Sequence, residues 1–122
     1  MSDIVFSSSI KDNLKKALTE LLILFLLSEQ DRYIGELTTL INQRSNGALA
    51  IVFPYSAVYR LQESGFICEL GRRIAPDGRR RQYFAITEAG KAYLDQLLQV
   101  YTQFSKGVES VLNSGGEKKN EQ

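Results

Sequence analysis

The chain has 122 residues, 43% of them hydrophobic and 24% charged. That length and composition suit one compact domain and exclude a multi-domain enzyme, a collagen-like repeat, a disulfide scaffold and wholesale disorder. Fifteen basic against fourteen acidic residues give a net charge of +1, so only the distribution of charge can point to a nucleic-acid or membrane partner.

A first helix is expected from Ser9, which stands at capping-box spacing from Asp12, and its pattern becomes apolar on all sides through Leu27. Residues 28–32 read as a polar connector. Ile34, Leu37, Leu40 and Ile41 then repeat the three-and-four spacing of a short second helix that Asn46-Gly47 closes. Ala48 to Phe53 suits an extended lead-in to a third helix starting near Pro54 and stopping at Ser64-Gly65. Phe66 to Leu70 and Gln82 to Ile86 read as strands of a hairpin whose long loop holds the turn Pro76-Asp77-Gly78. Thr87 is the expected N-cap of a last helix running to about Leu112, and the polar tail 113–122 is expected to be disordered.

The chain has no histidine, the commonest metal ligand and the side chain that titrates near neutral pH. It also lacks a thiol pair and a glycine-rich phosphate loop, so it does not read as an enzyme, and no metal or cofactor is expected. Cys68 is the single cysteine and cannot form an internal disulfide, which suits a cytoplasmic location. The apolar run Leu21 to Leu27 is far shorter than the roughly 20 residues that span a bilayer. Met1 to Phe6, with Asp3, does not read as a secretory signal.

Charge is concentrated in one place. Arg72, Arg73, Arg79, Arg80 and Arg81 fall within ten residues, opposed there only by Asp77. Arginines on a hairpin can lie along a phosphate backbone and release its counterions; the same run would also serve as a solvated loop. On the third helix, Tyr55, Ser56, Tyr59 and Arg60 fall away from the inward-facing Ala57, Val58 and Leu61 and carry donors suited to phosphates or base edges. Along the last helix Leu94, Leu97, Tyr101, Phe104, Val108 and Val111 alternate steps of three and four, and Leu98 widens the stripe. That stripe suits a partner helix, or packing within the chain.

The stretch from Tyr55 to Ile67, followed by Arg80 to Gly90 with its Thr87-Glu88-Ala89-Gly90 piece, resembles the PadR family of winged helix-turn-helix transcriptional regulators. Tyr33 and Gly35 are similar to the family's Tyr-Gly element, with Ile34 intervening. The family often has Gly-Thr-Leu-Tyr-Pro entering helix three, where this chain has Val52-Phe53-Pro54-Tyr55-Ser56 and lacks the threonine. The resemblance implies a mainly α (α+β) fold: a winged helix-turn-helix DNA-binding domain over 1–86 with a two-stranded β-wing, then a C-terminal dimerisation helix over 87–112. It implies a homodimer on double-stranded DNA, probing a palindromic operator as a repressor, with Tyr55, Tyr59 and Arg60 on the recognition helix and Arg79, Arg80 and Arg81 in the wing. It also implies that any small hydrophobic effector would bind between the first and last helices, where Phe25, Tyr93, Tyr101 and Phe104 are candidate walls. A protein-interaction module without DNA binding, or a dedicated hydrophobic-ligand binder, are the alternatives.

Overall fold

The computed structural model describes residues 18–49, 51 and 54–120. Helix α1 occupies 18–29, and β1 (Arg32–Tyr33), α2 (Ile34–Arg44) and α3 (Tyr55–Glu63) follow. β2 (Ile67–Ile74) and β3 (Arg80–Ile86) form a hairpin, and α4 (Glu88–Asn120) ends the described chain. The three strands make one antiparallel sheet in the order β1-β3-β2. The capping pair Ser9 and Asp12 lies outside the described residues, as does half of the extended lead-in before Pro54.

The core is one cluster, and α1 runs through its centre. Leu21, Ile23, Leu24, Leu26 and Leu27 are all buried, which accounts for a stretch of helix with hardly a polar face. Leu37 and Ile41 of α2 and Ala57, Val58 and Leu61 of α3 pack on it, with Ile67, Phe84 and Leu94 closing the cluster from the sheet and α4. The third helix begins just after Pro54, whose carbonyl accepts the first helical bond from the Val58 N–H at 3.0 Å. It ends where the sequence reading puts it. Gly65 takes φ +80°, and the Phe66 N–H reaches back to the Leu61 carbonyl at 2.9 Å, the crossed bonds of a Schellman motif.

Three features depart from the sequence reading. The connector at 28–32 is not wholly irregular: Arg32 and Tyr33 pair with Phe84 and Tyr83 and add a third strand to the sheet. The hairpin's arginine-rich stretch is strand rather than long loop. Pro76-Asp77-Gly78 closes a tight turn, with the Gly78 N–H on the Ala75 carbonyl at 2.8 Å, so both strands run up to it. The last helix continues past Leu112 to Asn120, since extending a helix already nucleated fixes one residue per added hydrogen bond.

Arg32 is the one buried charged side chain among the described residues. Its Nε donates to the Leu26 carbonyl at 3.0 Å, and its terminal nitrogens pair with Glu36 at 3.0 Å and Glu29 at 2.9 Å. Glu29 also takes Arg44 at 3.0 Å, so two guanidinium groups and two carboxylates knot the end of α1 to both ends of α2. Hydrogen bonding from Arg44, reinforced by Arg32, holds the Glu29 carboxyl below its ordinary value. Arg32→Ala is expected to cost about 2 kcal/mol of stability by urea denaturation, because the Leu26 carbonyl is left without its donor and the knot opens. Asn42 makes a second tie: its amide brackets Ile51, accepting from the N–H at 2.8 Å and donating to the carbonyl at 2.9 Å. That pair fixes Ile51 on the approach to α3.

Candidate nucleic-acid interface

Helix α3 buries Ala57, Val58 and Leu61 and turns Tyr55, Ser56, Tyr59 and Arg60 outward. Tyr59 is 60% exposed, too open for a core residue. Arg60 is exposed but not idle: its Nε meets Glu20 Oε2 at 2.7 Å, a pair that ties α3 to α1. The sequence reading aimed Arg60 at a groove; in the structure it is engaged on the helix behind. Beside α3, a cavity of about 300 Å³ opens between the start of α2 and the sheet, with Tyr33, Gly35, Tyr55, Tyr59, Arg81 and Gln82 in its walls.

The five hairpin arginines are not equivalent. Arg73 pairs with Asp31 at 3.4 Å and lies over the Tyr83 ring at 5.0 Å. Arg81 pairs with Asp77 at 2.7 Å and lies over the Tyr33 ring at 5.3 Å. The two rings meet edge to face at 5.5 Å, so the four side chains form one stack from the sheet's end to its edge. Arg81 donates to Asp77, the Arg79 N–H adds a second bond, and together they hold that carboxyl below its ordinary value. Burial pushes the Tyr33 phenol up. Arg72, Arg79 and Arg80 are exposed and, among the described residues, enter no ion pair.

A family model described as the transcriptional regulator PadR-like family matches residues 23–96. The match runs from within α1 through α2, α3 and the hairpin to the start of α4. The chain belongs to the PadR-like family of transcriptional regulators. It is similar to a solved transcriptional regulator from Clostridium thermocellum, with 26% identity and a TM-score of 0.71 over 80% of this chain and 96% of that one. A PadR-like transcriptional regulator from Bacillus cereus is similar at 25% identity and the same TM-score of 0.71, over 82% of this chain and 96% of that one. Uncharacterized protein X of Lysinibacillus sphaericus is 32% identical over 72% of this chain and 82% of its own length. The fold is therefore the winged helix of PadR-like regulators, with the hairpin as wing and a long C-terminal helix.

That helix carries an uneven stripe. Leu94 is buried at 6% in the chain's own core and Leu97 is packed against it, so the first two heptad positions are taken up by the fold. Leu98, Tyr101, Phe104, Val108 and Val111 are exposed, Phe104 at 72% and Val111 at 70%. The aromatic side chains named as effector walls are not gathered in one place. Tyr93 stacks on Phe66 at 4.2 Å, while Phe25 lines a separate apolar cavity of about 290 Å³ with Leu22, Leu26, Leu40, Ile41 and Leu49. Cys68 lies on β2 opposite Ala85 and is exposed. Among the described residues no group of three His, Cys, Asp or Glu could hold a metal ion, and no helix is long and apolar enough to cross a membrane.

Sequence reasoning passed over Arg32, Asn42 and Glu20, which tie together the elements of the candidate site. A buried arginine between two acids three and four residues away, Glu29 and Glu36, is a spacing that could have been read.

Proposed function

We propose that this regulator acts as a homodimer on a palindromic DNA operator, setting the outward face of α3 in the major groove and the wing on the flanking backbone. One observation carries this reading: the exposed Tyr55, Ser56 and Tyr59 stand beside a wing on which Arg72, Arg79 and Arg80 have no acidic partner among the described residues. The exposed run from Leu98 to Val111 supports the dimer, because a monomer would leave those apolar side chains in water. We assign the protein a cytoplasmic repressor's role, acting by binding rather than by catalysis. The apolar cavity between α1 and α2 supports release by a small hydrophobic effector.

Fluorescence anisotropy on a labelled duplex tests the reading. Affinity is expected to fall steeply with salt, and Tyr59→Ala is expected to narrow the ratio of operator to random-sequence affinity by roughly tenfold, the effect of one base contact. A chain indifferent to duplex at low salt would instead be a protein-interaction module.

A further inference from the structure

Side chains alternate across a strand, and residues opposite one another in an antiparallel pair share a face. On β3, Arg80, Gln82 and Phe84 therefore lie on one face, and Arg81 and Tyr83 on the other. The pairing carries this division to β2: Arg72 stands opposite Gln82 and Ile74 opposite Arg80, while Arg73 stands opposite Arg81 and Gly71 opposite Tyr83. The register shift between Glu69 and Gly71 matters here. One extra residue in β2 decides which of the adjacent arginines, Arg72 or Arg73, shares a face with Phe84 and Gln82. Phe84 is buried in the core with Val58 and Leu61 of α3, so its face, which Arg72 and Arg80 extend toward the turn, is the one turned to the third helix; the cavity beside α3 is walled by Gln82 from that face and by Arg81 from the other. The opposite face holds the stack of Arg73, Tyr83, Tyr33 and Arg81, with both guanidinium groups neutralised by Asp31 and Asp77.

Building on the DNA-binding reading, we infer that the wing arginines divide by strand face: Arg72 and Arg80 contact DNA phosphates, whereas Arg73 and Arg81 are positioning residues that fix the wing against β1. Guanidinium planes suit the second task because they stack on rings and pair with carboxylates at once, which a lysine ammonium does not reproduce. Phosphate contact needs only the charge.

The test is the salt dependence of affinity for a labelled random-sequence duplex. Replacing Arg72 and Arg80 together by Ala is expected to lower the slope of log affinity against log salt by about 1.8, at ~0.9 per phosphate, and replacing both by Lys is expected to restore it. Replacing Arg73 and Arg81 together by Lys is expected to leave the slope unchanged while affinity falls severalfold at every salt concentration. Those Lys variants keep the charge, so a slope that falls, or an affinity that is fully retained, overturns the division. Equal slope losses for Ala pairs on the two faces would overturn it as well, with DNA binding itself left standing. A wild-type chain without salt-dependent duplex affinity overturns both.

Discussion

Gly90→Ala is expected to lower stability by about 3 kcal/mol, although in an ordinary helix interior the same change stabilises by about 1 kcal/mol. The reason is a close approach between two turns. Thr87 caps α4 by accepting the Gly90 N–H at 3.0 Å, and its hydroxyl donates to the Gly65 carbonyl at 2.7 Å. The Thr87 N–H donates to the Phe66 carbonyl at 3.0 Å, so the start of α4 rests directly on the turn that ends α3. A Cβ on Gly90 would overlap the Phe66 carbonyl oxygen and approach Ile86 Cγ1 to 2.8 Å. The obstruction is backbone, and no rotamer change relieves it. Thermal denaturation followed by circular dichroism should show a melting temperature about 10 °C lower. A melting temperature at or above wild type would mean that the turn yields, and that the Thr-Glu-Ala-Gly piece does not fix α4 to α3.

Replacing Tyr101 and Phe104 together by Glu is expected to convert dimers to monomers in sedimentation or light scattering. Both side chains are exposed and lie beyond the core, so the melting temperature of the winged-helix domain should stay near that of the wild-type monomer unit. Leu94 and Leu97 are unsuitable for this test because the chain's own core uses them. Full burial of one apolar side chain is worth about 1.5 to 3 kcal/mol, and charges placed in that seam would oppose one another across a two-fold axis. Loss of the second half-site contact should weaken operator binding by roughly 10² to 10⁴. A dimer that persists would mean that α4 is not the seam.

The helices were legible because their signals are local. Leu37, Ile41, Ala57, Val58 and Leu61 fall at helical spacing, and Gly65 and Thr87 mark ends by chemistry that each residue carries alone. β1 was not legible, since two residues carry no periodicity and Arg32 and Tyr33 become strand only through the Phe84 and Tyr83 they meet. The length of the wing was misread because its adjacent arginines, Arg72-Arg73 and Arg80-Arg81, break the alternation of polar and apolar residues that marks a strand, and the turn's reach depends on cross-strand pairing. At the candidate site, the outward face of α3 follows from which positions the core takes. The engagement of Arg60 with Glu20, and of Arg73 with Asp31, joins residues far apart in sequence and needed the fold. Leu94 continues the heptad pattern in sequence and leaves it in space, because the first turns of α4 pack on the domain before the helix departs from it.

Selection of bound duplexes from a random-sequence pool by the intact protein measures the central claim most directly. The account predicts enrichment of an inverted repeat whose half-site centres lie about 10 base pairs apart, one turn of the duplex, with two chains per duplex. A pool that shows no enrichment, or that converges on one asymmetric site bound by a single chain, would contradict it.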